Sequence, residues 1–171
     1  MTKHDYLRRL EPEHYCGEAW VHWSLTTEHR STGWLTPKFL YRFREILTHT
    51  CFRYRVACFI YCLMPDHAHL LWHGLSIRTN QLIAMEFFRK RSNESLRRIG
   101  FEWQQQGHDR VLREKELQET NLEGIGEYIA RNPERKKLVP VDHFADYKYT
   151  GCLLPGYPEL RLFQPDSWTR V

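Results

Sequence analysis

Four segments of the chain have the hydrophobic pattern of β-strands. Residues 20–27 are rich in β-favouring side chains, and residues 109–113 form a shorter segment of the same kind. Residues 55–64 and 67–73 are two apolar, β-favouring runs that only a Pro-Asp pair separates. A connection of two turn-forming residues predicts that these two strands form a hairpin.

Three other segments place their apolar residues at helical spacing. A Thr-Pro pair, which favours a helix start, opens the first over residues 36–52. The second is predicted over residues 79–99, where a glycine follows it. A third helix, capped by Thr120 or Asn121, is predicted to run up to the residue before Pro133.

The order of these elements indicates the fold class. The predicted series is β-α-β-β-α-β followed by a helix, which is the split βαβ arrangement of α+β, ferredoxin-like domains with an antiparallel sheet. The length of 171 residues fits one domain, with a core over about residues 20–139. Residues 140–171 have no clear periodicity, so we expect an irregular C-terminal tail.

Composition excludes several classes of protein. Apolar residues make up 42% and aromatic residues 14%, which is enough for a packed core and excludes intrinsic disorder. No apolar run approaches the roughly 20 residues of a membrane span, and no signal peptide is visible. We therefore expect a cytoplasmic protein without a membrane partner, in which the five cysteines are free thiols.

Cys58 and Cys62 lie four residues apart in a predicted strand. Regular alternation would put both side chains on one face of the sheet. A zinc site is one interpretation of this pair, and two small apolar core residues is the better one.

Positive charge is concentrated in two segments, although the net charge is only +4. Basic clusters beside aromatic residues suit a nucleic-acid backbone and its unpaired bases, and a solvated helix face is the alternative for either cluster alone. Residues 89–98 and 131–137 together supply the candidate DNA-binding side chains, which are Arg89, Lys90, Arg91, Arg97, Arg98, Arg131, Arg135, Lys136 and Lys137.

His67 and His69 open the second strand of the predicted hairpin. Because a strand alternates faces, residues two apart project side by side, and one divalent ion could contact both imidazoles. Such a pair is more often an ordinary set of surface histidines. Here the strand is apolar enough to be buried, and buried imidazole nitrogens need partners, which a metal can supply.

Tyr128 and Asn132 lie four apart on the third helix, beside its apolar stripe. A helix packed by that stripe would direct a phenol and an amide together towards the sheet. Periodicity alone favours the simpler interpretation, in which Tyr128 sits at the edge of the core and Asn132 ends the helix before Pro133.

Three motifs occur in order along the chain, and together they resemble one family. The segments are Tyr61-Cys-Leu-Met-Pro-Asp-His-Ala-His-Leu-Leu-Trp72, Trp103-Gln-x-x-Gly-His-Asp-Arg-Val-Leu-Arg113 and Glu127-Tyr-Ile-x-x-Asn-Pro-x-Arg-x-x-Leu-Val139. In residue types and spacing the chain resembles the REP-associated tyrosine transposases of the HUH single-tyrosine superfamily, from about residue 20 to residue 149.

The resemblance implies a single-stranded DNA endonuclease and strand transferase that acts at hairpin-bordered, REP-like sites. It implies a ferredoxin-like domain whose additional C-terminal helix carries Tyr128 as the nucleophile that forms a 5′-phosphotyrosine. It further implies that His67 and His69 bind a divalent ion, Mg²⁺ or Mn²⁺, with Asn132 as the third ligand. The partner is single-stranded DNA with a hairpin, and the protein is a monomer or a homodimer.

Two other functions stay open at this point. A metal-dependent nuclease could use water while Tyr128 is structural, and a ferredoxin-like module could bind nucleic acid without catalysis. The chain has no phosphate-cradling glycine-rich loop, so no nucleotide cofactor is expected.

Overall fold

The computed structural model describes residues 9–113, 115, 117 and 122–154. Its strands and helices follow one another in the predicted order, with a fifth strand at the end. The strands are β1 (Trp20–Thr26), β2 (Val56–Met64), β3 (His67–Gly74), β4 (His108–Leu112) and β5 (Thr150–Leu153). The helices are α1 (Pro37–Tyr54), α2 (Gln81–Arg97), α3 (Leu122–Ala130) and the short α4 (Asn132–Arg135).

The strands form one antiparallel sheet in the order β4-β1-β3-β2-β5. This confirms the predicted α+β class, with β3 at the centre of the sheet. Residues 150–153 lie in the segment predicted to be irregular, and they instead form β5. This strand hydrogen-bonds to the outer edge of β2, whose nine residues are all buried and whose backbone groups therefore need a protein partner.

The starts of the first two helices follow their capping residues. The Thr36 side chain accepts a hydrogen bond from the Phe39 amide, and Asn80 caps α2 through the amides of Leu82 and Ile83. Both ends differ slightly from prediction, since α1 extends to Tyr54 and α2 stops at Arg97. None of the helices in the described ranges is long and apolar enough to cross a membrane.

The predicted third helix is interrupted before residue 132. Proline has no amide hydrogen, so Pro133 cannot donate to the Ile129 carbonyl four residues earlier. The Asn132 side chain donates to that carbonyl instead, at 2.9 Å, and the chain starts the separate turn α4. The two predicted caps, Thr120 and Asn121, lie outside the described residues.

Each face of the sheet has its own hydrophobic core. Helices α1 and α2 pack on one face, against Ala68, Leu70 and Trp72 of β3. Helix α3 packs on the other face, where Ile129 and Ala130 share a core with Leu71, Cys62 and Met64. Because side chains alternate along β3, His67 and His69 lie on the same face as Leu71, the face that α3 covers.

A β-bulge in β2 changes the predicted placement of two cysteines. The register with β3 shifts by one residue between Cys58 and Ile60. Cys58 therefore packs in the core under α1 and α2, and Cys62 packs in the core under α3. The prediction that both side chains share a face is wrong, while both are buried free thiols as expected.

Substitution Gly74→Ala tests how closely the Gly17 backbone packs against Gly74 at the end of β3. A Cβ at this position would lie 1.9 Å from the Gly17 carbonyl oxygen, a backbone atom that cannot rotate away. We expect a loss of about 1–3 kcal/mol in the free energy of unfolding, measured by chemical denaturation. Ile77→Ala is the control, because Ile77 is 88% exposed, and it should change stability by less than about 0.5 kcal/mol. Equal stabilities for the two variants would contradict this packing.

Candidate functional site

His67 and His69 face each other at the start of β3. Their Nε2 atoms are 3.1 Å apart, and the two rings are almost perpendicular. Both side chains are partly buried on the face that α3 covers. The structure therefore brings together the two imidazoles that the sequence singled out.

The turn before β3 fixes the orientation of His67. The Asp66 carboxylate lies 2.6 Å from His67 Nδ1, and the Arg30 guanidinium donates to its other oxygen at 2.8 Å. The Asp66 backbone carbonyl accepts hydrogen bonds from the amide and hydroxyl of Thr27. Burial by itself would raise the pKa of the Asp66 carboxyl, but the hydrogen bonds from His67 and Arg30 lower it overall.

A third imidazole, which the sequence analysis did not single out, completes this cluster. His22 of β1 places its Nε2 3.1 Å from Nδ1 of His69. In the register of β1 and β3, His22 is opposite Leu71 and therefore diagonal to His69. Only the strand order and register reveal this neighbour, because 47 residues separate the two histidines in sequence.

Burial keeps two of these imidazoles neutral. Burial, together with the adjoining His22, His67 and Arg135, lowers the pKa of His69 to about 3. Burial likewise lowers the pKa of His22 to about 4, with the Arg110 charge as a second cause. Neutral imidazole is the form that binds a metal ion, so His69 has the required charge state at physiological pH.

Tyr128, Asn132 and Arg135 form a second cluster on α3 and α4. The guanidinium of Arg135 lies over the Tyr128 ring, 4.1 Å from its centroid. It also donates to the Tyr128 carbonyl at 2.7 Å and to Asn132 Oδ1 at 2.8 Å. Tyr128 is 59% exposed, whereas Asn132 is buried. The phenol is therefore open to a large substrate, and one arginine holds it beside the amide.

Arg135 connects this cluster to the histidines. Its charge contributes to the lowered pKa of His69. Burial raises the pKa of Cys62 to about 11, and the Arg135 charge partly opposes that rise. Cys62 is paired with His69 in the register of β2 and β3. The positive charge that holds Tyr128 and Asn132 thus lies close enough to the histidine pair to act on it.

The nine predicted DNA-binding residues differ in whether their side chains already form ion pairs or hydrogen bonds within the protein. Arg131 forms ion pairs with Glu127, Glu134 and Asp142, and half-buried Arg89 donates to the carbonyls of Gln104 and Gln105.

Apart from Arg135, described above, the other six predicted basic residues separate into two groups. Arg91 is paired with Glu94, and Arg97 with Glu102. Within the described ranges no ion pair engages the exposed side chains Lys90, Arg98, Lys136 and Lys137.

The histidine pair fits the spacing of two metal ligands. Adjacent ligands of an octahedral ion at about 2.1 Å are about 3 Å apart, which agrees with the 3.1 Å between the two Nε2 atoms. Asp66 supports His67 in the way that carboxylates support ligating histidines. In the described part of the chain, no group of three or more His, Cys, Asp or Glu side chains is arranged to hold a metal. The amide of Asn132, whose Oδ1 has a second lone pair, could serve as a third ligand.

No protein-family profile matches the chain, and no curated protein matches its sequence. Comparison with solved structures gives a clear match to the REP-associated tyrosine transposase bound to a REP hairpin. The TM-score is 0.67 at 15% sequence identity, over 85% of this chain and 81% of that one. The chain shares the fold of a REP-associated tyrosine transposase. This agrees with the resemblance that the three sequence motifs predicted.

Proposed function

We propose that the protein cleaves and rejoins single-stranded DNA at hairpin-bordered, REP-like sites through a covalent bond to Tyr128. The observation that carries this proposal is the facing pair of His67 and His69, with Nε2 atoms 3.1 Å apart, on the sheet face that α3 covers. The REP-associated transposase of the same fold is described as bound to a REP hairpin, which supports hairpin DNA as the substrate class.

The histidine pair and Asn132 Oδ1 would hold the divalent ion, Mg²⁺ or Mn²⁺. When bound, this ion supplies Lewis-acid polarisation of the scissile phosphate. Asp66 holds His67 in position through its Nδ1. The lowered pKa of His69 keeps its imidazole neutral, so one of its two ring nitrogens carries a lone pair.

Tyr128 is the proposed nucleophile. Its oxygen forms a bond to phosphorus while the bond from phosphorus to the 3′ oxygen breaks, which gives a 5′-phosphotyrosine and a 3′-hydroxyl. The phenol loses one proton and the leaving oxygen gains one, so the step needs no net proton. Arg135 lies over the phenol ring and, through its bonds to the Tyr128 carbonyl and Asn132 Oδ1, holds Tyr128 beside the amide. Because the phosphoester is conserved, attack by another 3′-hydroxyl rejoins DNA without a nucleotide cofactor.

The free cations supply the proposed DNA surface. Lys136 and Lys137 directly follow α4, and therefore lie just beyond Arg135 and Asn132 along the chain. Lys90 and Arg98, on and after α2, are exposed as well, but α2 packs on the sheet face opposite α3 and the histidine pair, so they are not part of this surface. Arg131, which three carboxylates neutralise, contributes to the fold of α3 and α4 more than to phosphate binding.

The first prediction concerns the covalent bond. Tyr128→Phe removes only an exposed hydroxyl, so stability and hairpin binding should persist while the covalent adduct disappears. The measurement is an SDS-resistant complex between the protein and labelled hairpin single-stranded DNA in the presence of Mn²⁺. Tyr41→Phe, another exposed tyrosine on α1, should still form the adduct. Cleavage without any adduct in the wild type would favour the nuclease that uses water, and binding without cleavage would favour the non-catalytic module.

The second prediction concerns the ion. Replacing both His67 and His69 by Ala should abolish cleavage and weaken Mn²⁺ binding by more than the roughly 10- to 100-fold typical of losing an outer-shell partner. Asn132→Ala should weaken it less. Isothermal titration calorimetry measures both effects, and His73→Ala is the control. His73 lies on the same strand and face but stacks on Trp20, so its loss should leave Mn²⁺ affinity unchanged. Unchanged affinity in the double variant would refute the assignment of the two ligands.

The third prediction concerns the phosphate contacts. Each phosphate contact on a single strand contributes about −0.7 to the slope of log affinity against log salt. Lys136→Ala with Lys137→Ala should therefore reduce the slope by about one in magnitude, measured by fluorescence anisotropy of a hairpin oligonucleotide. Lys38→Ala with Arg42→Ala removes the same charge from α1, on the other face of the sheet, and should leave the slope unchanged. Equal slopes for both double variants would remove Lys136 and Lys137 from the DNA surface.

A further inference from the structure

Three imidazoles form a hydrogen-bonded series that begins at the Asp66 carboxylate and ends at His22. The Asp66 carboxylate can only accept, so a His67 ring that holds a single proton carries it on Nδ1. Its Nε2 is then an acceptor, and His69 must donate from its own Nε2 across the 3.1 Å contact. Nδ1 of His69 is left as an acceptor, and His22 must donate to it from Nε2. One carboxylate thus determines the tautomer of all three rings.

This arrangement of protons is incompatible with metal binding by both histidines. A metal ligand must offer an unprotonated nitrogen, and the series puts a proton on His69 Nε2. His67 is already in the required tautomer, because Asp66 holds the proton on its Nδ1. His69 can offer Nε2 only after its proton has changed to Nδ1, and that proton then needs an acceptor. The atom within reach of Nδ1 is Nε2 of His22.

We infer that His22 is a positioning residue that allows His69 to become a metal ligand by exchanging tautomers with it. In the metal-free state His22 donates from Nε2 to His69 Nδ1. In the ligating state His69 donates from Nδ1 to His22 Nε2, and His22 carries its own proton on Nδ1. Each ring keeps one proton throughout, so no net proton is taken up or released between these two rings. The inference rests on the proposed function, because it concerns the same histidine pair.

The chemistry of this position restricts which side chains can replace His22. The partner of His69 Nδ1 must donate in one state and accept in the other. An imidazole does both, and so does the amide of glutamine, which can present either its NH₂ group or its oxygen. A leucine of similar size does neither. The pair of variants His22→Gln and His22→Leu therefore separates the hydrogen bond from simple packing against His69, whose ring centroid is 5.1 Å away.

The first measurement is Mn²⁺ affinity by calorimetry. His22→Leu should bind Mn²⁺ about 10- to 100-fold more weakly than the wild type, the usual effect of losing an outer-shell partner of a ligating histidine. His22→Gln should recover most of this loss, and His73→Ala should match the wild type. Circular dichroism confirms that each variant is folded. If His22→Leu is unfolded, the comparison of His22→Gln with the wild type and the spectroscopic measurement below still decide the question.

The second measurement reads the tautomers directly. Nitrogen-15 NMR of the histidine rings at pH 8, with and without saturating Mg²⁺, distinguishes Nδ1–H from Nε2–H. We expect His67 to keep Nδ1–H in both conditions, His69 to change from Nε2–H to Nδ1–H, and His22 to change in the same direction. Unaltered tautomers of His22 and His69 on Mg²⁺ binding would overturn the inference, as would wild-type Mn²⁺ affinity in His22→Leu.

These outcomes are separable from those that test the proposed function. Normal Mn²⁺ binding in His22→Leu overturns the role of His22 and leaves the covalent mechanism intact. A tautomer change without any Tyr128 adduct supports the role of His22 and overturns the covalent mechanism. Failure of the wild-type protein to bind Mn²⁺ or Mg²⁺ overturns the metal assignment and this inference together.

Discussion

The candidate site depends on how tightly the turn between β2 and β3 is held. Trp34 donates to the Pro65 carbonyl at 2.6 Å, and Thr27 bonds the Asp66 carbonyl through both its amide and its hydroxyl. These contacts come from the segment after β1, on the other side of β3 from β2. They fix the backbone of Asp66, and so its carboxylate reaches His67. Without that anchor, neither the orientation nor the tautomer of the first imidazole would be determined.

Much of the fold and half of the site follow from sequence because they depend on local patterns. Strand alternation places His67 and His69 on one face, and capping residues define where α1 and α2 begin. The bulge in β2 cannot be recognised from the hydrophobic pattern of the sequence, because every residue of that strand is buried. The contact from His22 to His69 depends on strand register, which is a property of the folded sheet and of no single segment.

The basic segments show a second property that cannot be predicted from sequence, namely which of their charges are paired with carboxylates in the folded protein. Composition places Arg131 and Arg135 in the same cluster, four residues apart. In the folded protein, Arg131 is surrounded by three carboxylates, while Arg135 bonds a backbone carbonyl and a neutral amide. Within the described residues no carboxylate offsets the positive charge of Arg135 beside the exposed phenol, whereas three carboxylates offset that of Arg131. Charge counting along a helix cannot separate the two, because the carboxylate of Asp142 comes from a later part of the chain.

The break between α3 and α4 has a consequence for the choice of side chain at position 132. The NH₂ group of Asn132 replaces the backbone donor that Pro133 lacks, and its oxygen accepts from Arg135. A carboxylate would suit a hard cation at least as well, but it has no hydrogen to give to the Ile129 carbonyl and would place two acceptors together. Position 132 therefore favours an amide over a carboxylate because Pro133 has no backbone N–H. This preference holds whatever the Asn132 oxygen binds.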